Sequence, residues 1–277
     1  MVAFAALILL LPPETPNPLR EARQLFADGK RQDAIAVLAK AVEANPKFVE
    51  AHQLQASMFD AMDRWADAGE ALDRAIEAEP KRSELRQRRG SIRFKEGRFA
   101  DSLADFDRYL EMEPTQAISH WQRGITCWYA GKFAAGEKQF ADYQNYHDAD
   151  VENAVWRCMC QAKASNLVAA QRDMLKVGPD ARVPMKEIYG LFKGTHKPQD
   201  VMAAAEAGKA AEGDRNSRRF YANLYVGIWH DLTGDPTKAL DHLDRATEGH
   251  RIGHYMWDVA RVHRDLLKAK KKGRQCP

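Results

Sequence analysis

The chain has 277 residues, of which 45% are apolar and 29% are charged, a composition that excludes a disordered protein and supplies enough residues for a sizeable core. Its formal charge of +3 is too close to neutral to indicate a nucleic-acid or membrane partner by itself. The four cysteines do not form the pattern of a disulfide framework, and Cys127 and Cys158 are predicted to be small buried apolar residues.

The first 16 residues differ from all that follows. Residues 2–11 are an unbroken apolar segment, and prolines follow at positions 12, 13, 16 and 18. The segment is too short to cross a bilayer, which needs roughly 20 apolar residues. It is typical of the apolar core of a secretory signal, although no basic residue precedes it and no clear cleavage site follows. We therefore expect residues 1–16 to be a leader with a proline-rich linker that directs export. An accidental apolar leader on a cytoplasmic protein is the alternative.

A 34-residue period follows the leader. Three prolines at predicted helix ends, Pro46, Pro80 and Pro114, are spaced by this interval. Small residues that allow two helices to approach closely recur with the same period at Ala22, Ala56, Gly90 and Gly124. Residues suited to a left-handed turn recur at Gly29, Asp63, Gly97 and Gly131. The pattern predicts four helix–turn–helix units over residues 17–148, of which the first three are ended by a proline that cannot continue the helix.

This repeat resembles the tetratricopeptide-repeat (TPR) family, which has the same period. The resemblance implies an all-α, right-handed superhelical solenoid of antiparallel helix pairs. It also implies a non-enzymatic role, in which a protein or peptide partner binds in the concave groove lined by the first helices of the units.

The pattern weakens in the second half of the chain. Residues 149–216 are predicted to form degenerate helical pairs, and residues 217–267 a C-terminal TPR unit with a capping helix. A cap is expected because an end unit otherwise exposes its apolar face. Residues 268–277 are predicted to be a basic tail.

Two segments carry a narrower resemblance. Residues 120–131, continuing towards Trp156, and residues 220–239 resemble repeats of the NlpI family of bacterial periplasmic lipoproteins. That resemblance implies a dimeric adaptor of the cell envelope. The lipid-anchoring cysteine of those proteins has no counterpart here, since the first cysteine is Cys127. A periplasmic adaptor, with a homodimer left open, is therefore the expectation, and its partners cannot be carried over.

The candidate partner-binding residues lie on the predicted first helices. The fourth unit is unusually aromatic there, and Trp and Tyr are favoured binding anchors. The alternative is that Trp121 and Trp128 pack against adjacent helices, because their spacing of seven also suits a core. The predicted groove residues are Gln53, Ser57, Gln87, Ser91, Phe94, Trp121, Ile125, Trp128 and Tyr129.

No motif for catalysis, cofactor binding or metal binding stands out, and none of these sites is expected. The alternative function is a hydrolase or metal-dependent enzyme in the irregular segment 178–216, or at His250, His254 and Asp258 if they share a helix face. The basic stretch 81–98 is predicted to be a solvated face, with acidic or nucleic-acid ligands as a third alternative. No transmembrane span is expected.

Overall fold

The computed structural model describes residues 17–273, which contain helices and no β-strand. The chain divides into two compact units, one ending at Arg82 and the other beginning at Ser83. The predicted leader, residues 1–16, and residues 274–277 of the predicted basic tail lie outside the described residues.

The N-terminal unit holds two consecutive helix pairs. Asn17 caps the first helix by accepting a hydrogen bond from the Leu19 N–H at 3.0 Å, and Pro18 takes the first helical position. Asp63 ends a helix in the left-handed conformation, with a φ of 57°, as its place in the repeat predicts. The four helices are α1 (Pro18–Ala27), α2 (Arg31–Ala44), α3 (Val49–Ala61) and α4 (Trp65–Ala78).

The C-terminal unit holds eleven α-helices within the described residues, built around one continuous apolar core. They are α5 (Ser83–Lys95), α6 (Phe99–Met112), α7 (Trp121–Tyr129), α8 (Phe133–Tyr143), α9 (Val151–Ala164), α10 (Leu167–Arg172), α11 (Met185–Lys193), α12 (Pro198–Glu206), α13 (Glu212–Leu232), α14 (Pro236–Asp244) and α15 (Tyr255–Lys271). A short 3₁₀ helix (Pro114–Ser119) precedes α7, and a π-helical turn (Arg245–Gly249) follows α14.

Close approach within the helix pairs explains the small residues of the repeat. A Cβ atom on Gly90 would lie 2.7 Å from the ring of Phe106, and one on Gly124 would lie 2.6 Å from the ring of Phe140. Both rings are buried, so the large side chain of one helix fills the space that the glycine of the other leaves empty. The predicted close approach of the two helices at the small residue is confirmed in these two units.

The structure corrects two predicted boundaries. The boundary at 216/217 falls inside α13, which begins at Glu212. The boundary at 267/268 falls inside α15, which continues to Lys271, so the first lysines of the predicted tail form the last turn of a helix. Basic side chains are favourable there because they face the negative end of the helix dipole.

The alternative metal site at His250, His254 and Asp258 requires a shared helix face, which the structure does not provide. The helix begins at Tyr255, so His250 and His254 do not share a helix face with Asp258. His250 bonds to the side chain of Asn216 at 3.0 Å instead, and His254 accepts a hydrogen bond from the Met256 N–H at 3.3 Å. No helix within residues 17–273 is long and apolar enough to cross a bilayer.

Candidate ligand-binding site

The predicted groove residues of the N-terminal unit are polar and lie on α3. Ser57 is exposed, and its hydroxyl donates a hydrogen bond to the backbone carbonyl of Gln53 at 2.9 Å. Gln53 is half-buried. These two residues therefore remain accessible to a partner.

The polar residues predicted on α5 bond to α7. Gln87 donates to the Gln122 Oε1 at 2.6 Å, and Gln122 in turn donates to the Ser91 hydroxyl at 3.2 Å. The His120 Nε2 lies 2.5 Å from the Gln87 Oε1. Gln87 and Ser91 thus join two neighbouring helices, and neither side chain is fully exposed.

Helix α15 covers much of the predicted aromatic groove. Its Tyr255 ring lies 5.3 Å from the ring of Phe94, and its His263 ring stacks on Trp128 at 5.7 Å, both between ring centroids. The His263 Nδ1 is also 3.0 Å from the Tyr129 hydroxyl. The chain's own C-terminal helix therefore occupies the place that the sequence assigns to a partner, in line with the alternative that Trp128 packs as core.

Two of the predicted contact residues are wrong as partner contacts. Phe94 is 0% exposed and Ile125 is 1% exposed, and both belong to the apolar core of the C-terminal unit. The helical spacing places them on the expected face of α5 and α7, but that face is closed by other helices. Packing accounts for both residues.

Polar bonds hold α15 in this position. Arg261 donates to the backbone carbonyl of Lys95 at 2.8 Å, and the ammonium of Lys95 lies 3.4 Å from the Asp258 carboxylate. His263 also bonds to Asp231 at 3.2 Å, so the helix is bonded to both α5 and α13. Bonds of this kind specify one docked position more sharply than apolar contact alone.

Trp121 is half-buried, as are Trp128 and Tyr129, but it also lies at the edge of an open cavity of about 180 Å³. One part of the cavity wall is aromatic, formed by Trp121, Phe140, Tyr143, Trp156 and Tyr221. The other part is polar, formed by Asp150, Glu152, Asn153, Arg182 and His254. A concave space with apolar walls and a few converging polar groups is the usual form of a binding site.

Arg182 organises the polar wall. Its guanidinium bonds to Asp150 at 2.9 Å, to Glu152 at 2.8 Å and to Asp180 at 2.6 Å. Glu152 accepts a further hydrogen bond from the Tyr225 hydroxyl at 2.6 Å. Three carboxylates around one guanidinium leave an excess of negative charge at this place.

Burial and the positive charge of Arg182 together shift the pKa values of the acidic groups in and beside the cavity wall. Burial raises the pKa of Glu152 above its ordinary value, while the positive charge of Arg182 opposes the shift. Burial also acts on Asp180, but hydrogen bonds from Arg182 hold the pKa of that carboxyl below its usual value. Burial and the nearby Asp150 raise the pKa of Tyr143 to about 12, so its hydroxyl stays protonated at neutral pH.

Asn153 is the most deeply buried polar residue of the wall, at 3% exposed. Its amide nitrogen donates to the Phe140 carbonyl at 3.0 Å and to the Gln144 Oε1 at 3.3 Å. Its Oδ1 accepts no hydrogen bond. A buried acceptor without a donor is unfavourable.

Of the predicted groove residues, only Trp121 and Ile125 border this cavity, and His254, named for the alternative metal site, borders it as well. Glu152, Asn153 and Trp156 follow one another at helical spacing on α9, which was the available signal. Arg182 lies in an irregular loop, where no periodicity points to a role. Within residues 17–273, no group of three or more His, Cys, Asp or Glu side chains is arranged to hold a metal ion.

Comparison with known proteins supports the fold. A family model described as tetratricopeptide repeat matches residues 25–90. A search of curated proteins finds no match. Among solved structures, a tetratricopeptide repeat protein from Parabacteroides merdae aligns with a TM-score of 0.56 and 13% identity, covering 91% of this chain and 97% of that one.

Two further solved structures align with TM-scores below 0.5. PilW, described as a widely conserved type IV pilus biogenesis factor, has a TM-score of 0.48 and 16% identity, over 87% of this chain and 96% of that one. PilF of Pseudomonas aeruginosa has a TM-score of 0.45 and 13% identity, and the alignment covers 89% of this chain and 96% of that one. These comparisons do not show the resemblance to NlpI-type lipoproteins, which stays a prediction. The fold of this chain is that of a tetratricopeptide-repeat solenoid, and residues 25–90 match the repeat of that family.

Proposed function

We propose that this chain is a non-enzymatic protein-interaction scaffold, and that a segment of its partner docks beside Trp121. The observation that carries this proposal is the cavity of about 180 Å³ at Trp121. It remains open although the Tyr255 ring of α15 lies 5.5 Å from the Trp121 ring and the His254 ring stacks on Trp121 at 6.1 Å, both between ring centroids. Trp is favoured as a binding anchor because its large ring buries much apolar area with few rotatable bonds.

The TPR fold supports the proposal in a general way. Stacked helix pairs form an extended surface on which partner segments bind. The proposed setting is the bacterial cell envelope, supported by the apolar segment 2–11 and by the NlpI-type resemblance. Fusion of alkaline phosphatase after residue 30 tests whether the chain is exported, because this reporter enzyme is active only after export. An inactive fusion would contradict a location in the cell envelope.

Site-specific photo-crosslinking tests the proposed docking site. A photo-reactive phenylalanine analogue replaces Tyr221, which borders the cavity, or Tyr146, an exposed control at 62%. We expect position 221 to capture one partner in the producing cell, and the control position not to capture it. The captured band should disappear when Trp121→Ala is combined with the probe at position 221.

The opposite pattern contradicts the proposal. A partner captured from position 146 alone, or captured at position 221 equally well with and without Trp121, would place the binding surface elsewhere. A crosslink between two copies of the chain would identify the partner as a second copy, the homodimer that the sequence leaves open.

A further inference from the structure

An open groove of about 390 Å³ lies in the N-terminal unit, over helix α3. One face of α3, with His52, Gln55 and Phe59, forms its floor, and the end of α2 and one face of α4 form its sides. The His52 Nε2 donates a hydrogen bond to the Pro46 carbonyl at 3.0 Å, so this ring joins α3 to the end of α2. Gln55 is the other polar side chain of the floor.

The Gln55 amide has no hydrogen-bond partner among residues 17–273, although the residue is only 9% exposed. Unlike the Asn153 Oδ1, both polar atoms of this amide keep some accessible surface, so a molecule in the groove can reach them. A nearly buried amide without a partner is unfavourable, because it has lost most of its water without gaining a hydrogen bond in return. A ligand that supplies the bond therefore binds with an advantage.

In the next two units the position of Gln55 carries a bond between helices. One period later it is Arg89, which bonds to Asp105 on the following helix at 2.6 Å. Two periods later it is Arg123, which bonds to Gln139 on the following helix at 3.3 Å. The repeat thus assigns this position to a polar contact with the second helix of its own pair.

Alanines replace both polar partners in the unit of Gln55. The residue equivalent to Gln139 is Ala71, which has no polar side-chain atom. Arg123 also bonds to Asp107 on the preceding helix at 2.6 Å, and the residue equivalent to Asp107 is Ala39. The two substitutions explain why the groove is open at this place and why the chain itself leaves the Gln55 amide unpaired.

The fourth unit shows which group such a groove can hold. There the Gln139 amide donates to the backbone carbonyl of Ala117 at 2.7 Å, in the 3₁₀ helix that precedes α7. A side-chain amide in the equivalent groove thus already binds a peptide group of the chain itself. The N–H and C=O of one extended residue point to the same side, so both can bond to the donor and the acceptor of one glutamine amide.

The dimensions and the charge of the groove limit its occupant. From His52 to Phe59 the floor is about 10 Å long, which gives room for about three extended residues. Phe59 offers an apolar contact at one end of the floor. Glu70 is exposed at the rim and has no ion pair within the described part of the chain. A basic side chain can pair with it, whereas an acidic one is repelled.

We propose that this groove binds an extended segment of another protein. The Gln55 amide bonds to the N–H and C=O of one residue of the segment, an apolar side chain packs on Phe59, and a basic side chain pairs with Glu70. The inference goes beyond the docking site at Trp121, which belongs to the C-terminal unit.

Peptide selection on the purified full chain tests the inference. Random heptapeptides displayed on phage are selected on the unaltered chain, and the recovered peptides are synthesised and titrated by fluorescence polarisation. We expect peptides with a basic residue near an apolar one that lose at least about tenfold in affinity for Gln55→Leu, because leucine fills the space without bonding to the peptide. Failure to recover any peptide that depends on Gln55 would overturn the inference.

Matched variants place the binding in the groove. Gln53→Leu is the same substitution on the same helix at a residue that does not border the groove, and it should leave affinity unchanged. Equal loss in both variants would overturn the inference. Glu70→Gln alters an exposed residue and should weaken the same peptides about threefold, which keeps the test decisive if Gln55→Leu fails to fold.

Methylation of single peptide nitrogens tests whether the backbone is recognised. Methylation at one residue of the peptide should weaken binding to the unaltered chain at least about tenfold, because it removes the N–H that Gln55 accepts. The same methylation should change binding to Gln55→Leu less than about twofold, since the bond is already absent there. Equal loss in both chains would overturn the bond to Gln55.

The selected sequences distinguish the other occupants. Peptides that match residues 1–16 of this chain would identify the occupant as its own N-terminal segment and overturn a separate partner. Peptides that depend on Trp121 and not on Gln55 would support the proposed function and overturn this inference. Peptides that depend on Gln55, in a protein that captures no partner beside Trp121, would contradict the proposed docking site alone.

Discussion

His120 shows how one ring can join two helices through its neutral form. Its Nδ1 accepts a hydrogen bond from the Arg123 N–H at 3.1 Å, which caps α7, and its Nε2 faces the Gln87 Oε1 at 2.5 Å. These partners assign the proton to Nε2. Burial lowers the pKa of His120 to about 4, because the charged ring would lose its water, and the positive charge of Arg123 also lowers it.

We expect His120 to make the C-terminal unit sensitive to mild acid. The folded pKa of about 4 lies below the unfolded value of about 6.5, so the unfolded chain takes up the proton first. The stability that depends on neutral His120 is complete above pH 6.5 and is lost as the pH falls towards 4. Between pH 7 and pH 5 the loss should be about 2 kcal/mol in the free energy of unfolding.

Urea unfolding at both pH values measures this effect. His120→Asn is the comparison, because asparagine also caps a helix and does not titrate. The unaltered chain should lose about 2 kcal/mol more than the variant does between the two pH values. Equal losses would show that other groups cause the acid sensitivity.

At the scale of the elements, helix pairs depend on glycines that face large rings. Gly90→Ala would place a methyl group 2.7 Å from the ring of Phe106, which is itself buried. Alanine favours a helix over glycine by about 1 kcal/mol, but overpacking of a close contact costs about 1–3 kcal/mol. We therefore expect a net loss of about 1 kcal/mol in the free energy of unfolding, measured in urea.

Gly213→Ala is the matched control for this substitution. Gly213 lies in the first turn of α13, and a Cβ atom there would meet nothing within 4 Å. Its replacement should leave stability unchanged or raise it by up to about 1 kcal/mol. If both variants change in the same direction by the same amount, helix propensity rather than packing governs these positions.

The sequence predicts the helix pairs well because the signal for them is local. Gly90 and Phe106 are 16 residues apart, and the repeat shows the same relation at Gly124 and Phe140. No local sequence pattern indicates that Trp128 is covered, because the ring that stacks on it belongs to His263, more than 130 residues later in the chain. A spacing of seven places Trp121 and Trp128 on one face of a helix but does not show which of them another helix covers. Arg182, which organises the cavity, lies in a loop and belongs to no period.

At the scale of the whole molecule, α15 makes contacts that a simple linear solenoid does not have. In a linear solenoid each unit contacts only its neighbours, and the ends open first. In the C-terminal unit Arg261 bonds to Lys95, 166 residues earlier in the chain. The last helix is thus bonded to the first helix of its own unit, which should make opening of α15 as costly as opening of the interior.

Hydrogen exchange followed by mass spectrometry tests this consequence. We expect amides of α15 to exchange about as slowly as those of α9, although α15 is the last helix within residues 17–273. Tyr255→Ala removes a ring that packs 5.3 Å from Phe94 and 5.5 Å from Trp121, and should destabilise the docked helix by about 3 kcal/mol. Exchange should then accelerate in α15 and α5 together, while the exposed control Tyr146→Ala leaves both unchanged. Fast exchange of α15 in the unaltered chain would mean that the helix opens readily, and the groove at Trp128 would then be accessible to a partner after all.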